Sequence, residues 1–188
     1  MSNNINENMK SIIEGWGVPD ILELRNKNIK FIFDSNEINS NDEIYKGLMC
    51  GENTAKFCIY DIDNNEGIFV MDFLECGRRM LALYDCEPYL KLMIINVINS
   101  KYRKKGIATY YLEKLRDYAI KENISVVKVH PNPNDDIFKG QNKENRLERD
   151  KLKKFYENKS LPNLKFEIIW SRELYIRSSF KGFDGFGI

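Results

Sequence analysis

Residues 101–111 read KYRKKGIATYY and follow directly on the apolar run Leu90–Ile98. An apolar run, a basic turn with one glycine and then helical spacing read as strand, turn and helix. The first N–H groups of such a helix have no earlier carbonyl to bond. The positive end of the helix dipole adds to their pull on an anion. Gly106 has no Cβ, so a ligand can lie against the backbone there, and Ala108 keeps the next contact small. The pattern Arg103-x-x-Gly106-x-Ala108 therefore reads as a cradle for a pyrophosphate. Backbone amides of Arg103, Lys104, Lys105, Gly106, Ile107, Ala108 and Thr109 supply it. The side chains of Arg103, Lys104 and Lys105 add charge-assisted contacts.

On either side the pattern continues. From Gly106 to Lys121, apolar residues recur at Ala108, Tyr111, Leu112, Leu115, Tyr118 and Ala119, the spacing of a helix with one buried face. Ile124–Val129 is a β-branched run and predicts a second strand. Residues 90–129 thus form strand–helix–strand, a parallel crossover. Leu90–Ile98 is apolar on both faces, with Leu90, Leu92, Ile94 and Ile98 assigned to one and Met93, Ile95 and Val97 to the other. Such a strand sits centrally in a covered sheet. Asn96 interrupts it and needs a partner, which a neighbouring loop or bulge supplies, or else a bound substrate.

Upstream, Met9–Gly15 reads as a short helix, Asn28–Asp34 as a strand and Glu43–Met49 as a helical turn. Ala55–Tyr60 and Gly67–Glu75, joined by DIDNNEG, form an antiparallel pair, because Asn and Gly tolerate the left-handed turn. Met80–Tyr84 reads as a further strand. Downstream, the polar segment 130–146 is a long loop over the site. A helix follows at Leu147–Asn158, then closing strands at Leu164–Trp170 and Glu173–Arg177. The Gly/Phe-rich tail packs on the domain or mediates self-association, which leaves a homodimer open.

The chain has 188 residues, which suits a single domain, 1–188. Its 29 Lys and Arg nearly cancel 28 Asp and Glu, so no broad basic field exists for coating nucleic acid. The patch at 101–105 is better suited to one small anion. No apolar stretch reaches transmembrane length, and the polar start MSNNINENMK has no secretory apolar core, so a cytoplasmic protein with reduced thiols is expected. The spacing of Cys50, Cys58, Cys76 and Cys86 fits no zinc pattern, and with one histidine no metal site is expected. Cys58 reads as a small buried hydrophobe.

Arg103, Gly106 and Ala108, with Tyr102 and Ile107 beside them, resemble the acetyl-CoA signature of the Gcn5-related N-acetyltransferase (GNAT) family, Arg/Gln-x-x-Gly-x-Gly/Ala. The resemblance is specific over 90–129 and partial over 147–159. It implies an α/β fold: a mixed, mostly antiparallel central sheet with a parallel splayed strand pair, flanked by helices. It implies transfer of an acetyl group from acetyl-CoA directly to a primary amine. A backbone N–H around Val97, Ile98 or Asn99 would polarise the thioester carbonyl. The segment Phe155-Tyr156-Glu157-Asn158-Lys159 is similar to the family's fourth-helix segment, which makes Tyr156 the candidate acid for the departing thiolate. For the base, His130 lies just past the second strand and is of the residue type that exchanges protons near neutrality. Asp72 and Glu75 are further candidates. Arg149 stands where the family has Asn, and the Gly-Phe after that helix is absent. A non-catalytic GNAT-like module that binds CoA or a protein partner is therefore the alternative.

Overall fold

A computed structural model describes residues 5–76, 87–133 and 136–169. Its elements in chain order are α1 (Glu7–Gly15), β1 (Ile29–Ile32), β2 (Met49–Cys50), β3 (Thr54–Asp61), β4 (Glu66–Cys76), β5 (Tyr89–Val97), α2 (Ile107–Lys121), β6 (Val126–Val129), α3 (Arg149–Glu157) and β7 (Lys165–Ile168). Short 3-10 turns lie between them, at Glu43–Tyr45, Ser100–Tyr102 and Asp136–Phe138 among others. The expected strands at Met80–Tyr84 and Glu173–Arg177, and the tail, lie outside the described residues. No helix among the described residues is long and apolar enough to cross a membrane.

The sheet is mixed, in the order β1-β3-β4-β5-β6-β7, with β2 also on β3. Pairing is antiparallel from β1 to β5. The β5–β6 and β6–β7 pairs are parallel. This is the architecture implied by the GNAT resemblance. Along β3, Phe57 and Ile59 face one core and Cys58 and Tyr60 the other, as strand alternation requires. All three described helices pack on the first face. Phe69 stacks on Tyr111 of α2 at 4.7 Å between ring centroids, and Trp16, just after α1, stacks on Phe73 at 5.9 Å. The second face is covered by Ile38, Ile44 and Tyr45, with Ile137 and Phe138 packed against them. Cys58 is fully buried in that second core, as a small hydrophobe.

One strand departs from the expected face assignment. Asp72 pairs with Ile94 and Phe73 with Leu92, so Met93 has no partner on β4. This β-bulge flips the alternation. Leu90 and Leu92 face the helices, and after the bulge so do Ile95 and Val97. Ile94 and Ile98 turn to the opposite core. The expected grouping of Ile94 and Ile98 with Leu92 is thereby corrected: an extra residue in the strand shifts every later side chain to the other face.

The bulge stands where the sheet opens. β5 pairs with β4 as far as Val97, but with β6 only from Tyr89 to Leu92. Residues 93–97 thus keep an edge unpaired by β6.

Candidate acyl-transfer site

The amide cradle forms in the turn before α2. Asn99 caps the 3-10 turn Ser100–Tyr102 by accepting from the Lys101 amide. Lys104 (φ 62°) and Gly106 (φ 90°) then take the left-handed conformation on either side of Lys105. Alternation of this kind curls successive N–H groups inward. The first bond of the helix runs from the Tyr110 amide to the Gly106 carbonyl at 2.9 Å. The six amides from Lys104 to Thr109 donate to no acceptor among the described residues. A Cβ at Gly106 would meet no atom within 4 Å, so the backbone there faces open space. The residues present therefore fit a diphosphate at this turn.

These amides border a cavity of about 900 Å³. Ile107, Ala108 and Tyr156 line it on the helix side, and Asp72, Ile94 and Asn96 on the other. The cavity therefore passes through the sheet at the opening between β5 and β6. Its floor is the free edge of β5. The Ile98 amide donates to the Ile68 carbonyl on the β4 side at 2.9 Å. By the alternation of an antiparallel ladder, the Val97 and Ile95 amides point away from β4, toward the opening.

Several expected site residues change role. The Ile98 amide is spent on β4, and so cannot polarise a carbonyl in the opening. The Asn99 side chain is held by Glu66, and Asn99 does not line the cavity. Arg103 is buried, and its guanidinium is taken by four backbone carbonyls: Val97 at 2.9 Å, Ile98 at 2.7 Å, and Asn142 and Glu144 at 2.6 Å each. That replaces the phosphate contact expected of its side chain. Lys105 pairs with Glu23 at 2.7 Å and does not line the cavity. Lys104 does line it, with Nζ donating to the Asn145 side chain at 3.1 Å.

Tyr156 and His130 both line the cavity. Tyr156 is 3% exposed, and its hydroxyl has no hydrogen-bond partner among the described residues. Burial pushes its pKa up, so it stays a proton donor through neutral and mildly alkaline pH. The Nδ1 of His130 lies 2.6 Å from the Ile169 carbonyl oxygen. A carbonyl only accepts, so Nδ1 carries the proton and the neutral ring keeps its lone pair on Nε2. Asp72 also lines the cavity, its pKa raised by burial against the opposing pull of Lys56 and Lys91. Glu75 is outside, accepting from the Tyr118 hydroxyl at 2.9 Å.

The long segment after β6 folds back over the opening. Asn96 finds the loop partner expected of it, donating to Gln141 Oε1 at 3.1 Å. Gln141 also accepts from Arg146 Nη2 at 2.8 Å. Nothing in the residues around it marks Arg146 as part of the site. It stands in a polar run with no motif around it.

No protein-family model matches the chain, and no curated protein does. Among solved structures, similarity is found to an aminoglycoside acetyltransferase from an uncultured soil metagenomic sample, at 15% identity and a TM-score of 0.39 over 56% of this chain and 79% of that one. It is also found to a ribosomal-protein-alanine N-acetyltransferase from Brucella melitensis biovar Abortus 2308, at 14% identity and a TM-score of 0.44 over 77% and 94%. A third is an integron cassette protein from the mobile metagenome of V. cholerae, at 10% identity and a TM-score of 0.41 over 80% and 97%. Likeness this distant transfers neither activity nor substrate.

Proposed function

We infer that the protein is an acetyl-CoA-dependent N-acetyltransferase that acts on a primary amine by direct transfer. The observation that carries this reading is the run of six amides, Lys104–Thr109, that donate to no described residue, in the turn after a strand whose residues 93–97 are unpaired by β6. Acetyl-CoA, when bound, supplies an acetyl group activated as a thioester. The amides of 104–109 hold its diphosphate, and the Ile95 and Val97 edge receives an extended arm as an added strand would be received. One of those edge amides donates to the carbonyl oxygen as charge builds on it.

His130 Nε2 takes a proton from the amine, so that the nitrogen can form its bond to the acyl carbon. Asp72 lies on the same cavity and can assist. Tyr156 gives its hydroxyl proton to the sulfur as the carbon–sulfur bond breaks. Neither cysteine nor serine lines the cavity among the described residues, which favours direct attack over an acyl-enzyme. Burial also pushes the thiols of Cys50 and Cys58 up, away from nucleophilic thiolate.

Thermal melting with acetyl-CoA tests the reading. Ligand at about 100 times its Kd stabilises by roughly 2.7 kcal/mol. A clear rise in Tm is expected, and Gly106→Trp abolishes it. No rise at saturating acetyl-CoA rejects the reading. Thiol release across a panel of amines then separates enzyme from binding module: protection without turnover favours the module.

A further inference from the structure

Arg146 is, among the described residues, a cation without a counter-ion. Among the described residues no carboxylate lies within ion-pair distance of it. Its Nε is sealed from solvent and has no acceptor. Its Nη2 donates to Gln141 Oε1, and Nη1 makes no hydrogen bond among the described residues. The guanidinium also lies 5.3 Å from the centre of the Phe138 ring. Arg146 is therefore oriented from two sides. The Gln141 that orients it is itself fixed by Asn96. A held, partly buried cation with donors to spare leaves a desolvation cost that Gln141 and the Phe138 ring offset only in part.

Its place on the cavity narrows what it can meet. Arg146 lines the cavity and joins, through Gln141, to Asn96. Asn96 pairs with Val70, which lies in the core opposite the helices. Ile94 and Asp72 belong to that same face. The unpartnered amides start α2, whose buried residues belong to the helix-side core. Gln141 thus ties Arg146 to the face of the sheet opposite the helices, while Asn145 beside it accepts from Lys104 at the turn. A single planar guanidinium matches a carboxylate, with two parallel hydrogen bonds.

We propose that Arg146 docks a carboxylate carried by the acceptor, so that the substrate is a small amino-acid-like molecule bearing both an amine and a carboxylate. This rests on the acetyltransferase reading. The carboxylate settles on Nη1 and the fork of Arg146. The amine then lies toward Asp72 and His130 at the opening, where the acyl group arrives. Phe138 and Ile94 leave apolar wall between these ends for the side chain of the acceptor.

The test pairs L-leucine, L-phenylalanine and L-methionine with their decarboxylated amines in a thiol-release assay. At least tenfold higher kcat/KM for the amino acids is expected. Arg146→Met raises KM for the amino acids about tenfold, the loss of one charged hydrogen-bonded contact. Arg146→Lys restores part of it, and the melting temperature of each variant controls for folding. Equal kcat/KM within each pair overturns the proposal. So does an Arg146→Met variant whose deficit is in KM for acetyl-CoA, since the guanidinium would then serve the coenzyme's phosphates. A binding arm needs no turnover: protein with saturating CoA is titrated with N-acetyl-L-leucine and N-acetyl-L-phenylalanine against the matching N-acetylamines. Tighter binding of the carboxylates, lost in Arg146→Met, supports the proposal, and no difference overturns it. Failure of acetyl-CoA to raise Tm rejects the acetyltransferase reading separately.

Discussion

Arg103 Nη1 donates to the carbonyl oxygen of Asn142, 39 residues along the chain, at 2.6 Å. The same guanidinium holds the Val97 and Ile98 carbonyls. One buried cation thus ties the end of β5 to the segment that folds over the cavity. Removing it leaves several carbonyls short of a donor, at a cost of about 1–3 kcal/mol for each that stays buried. Arg103→Met is expected to lose roughly 2–4 kcal/mol of stability. Trypsin should also cut faster at Lys139 and Lys143 as the segment loosens. Chemical denaturation and timed proteolysis measure both, and an unchanged cutting rate would contradict the tie.

Gly106 separates backbone strain from lost space. Its φ is 90°, which any L side chain adopts only with strain. An added Cβ would touch no protein atom within 4 Å. Gly106→Ala is therefore expected to cost only about 1–2 kcal/mol in folding. It projects a methyl group into the open space where the proposed coenzyme would lie, so the Tm shift with acetyl-CoA should shrink far more than the stability does. Melting curves with and without acetyl-CoA read both. A full shift in the variant would place the ligand elsewhere.

Tyr156→Phe removes a hydroxyl that bonds to no described residue, so folding stability should change by less than about 1 kcal/mol. The expected deficit is in kcat, about 100-fold, with KM for acetyl-CoA little changed. Because burial raises the phenol's pKa, its ionisation should cause no fall in kcat below about pH 10. Steady-state rates from pH 6 to 10 test this. Wild-type kcat in the variant would return Tyr156 to the role of a core aromatic.

Among the described residues five tyrosines, Tyr45, Tyr60, Tyr111, Tyr118 and Tyr156, have pKa values raised chiefly by burial. The folded state therefore keeps protons that the unfolded state releases near pH 10. Their contribution to stability is fully present below that pH and is lost as pH rises toward the folded values. Urea unfolding should show falling stability above about pH 10. Absorbance of tyrosinate should rise in step with loss of structure. Free titration of all tyrosines in a still-folded protein would contradict their burial.

Local pattern made much of the fold legible. The spacing of Tyr111, Leu112, Leu115 and Tyr118 marks a helix because those residues share one face within the helix itself. The hairpin at 61–66 and the turn at Gly106 were legible for the same reason, since φ preferences belong to single residues. The need of Asn96 for a loop partner was readable, because a polar group in a covered strand must be satisfied. Met93 was not readable as a bulge: its lack of a partner depends on where β4 lies, and nothing in LKLMIINV marks the slip.

The chain's order of residues determined that an apolar strand leads through a left-handed glycine into an amphipathic helix, because each of those preferences acts within a few residues. Only the folded molecule decided which polar groups remain free. Arg103 spends its donors on four carbonyls, and Ile98 its amide on Ile68, whereas Arg146 has no acid beside it among the described residues. Hydrogen-bond supply is settled between segments far apart in sequence, where burial leaves each donor either matched or open to a ligand.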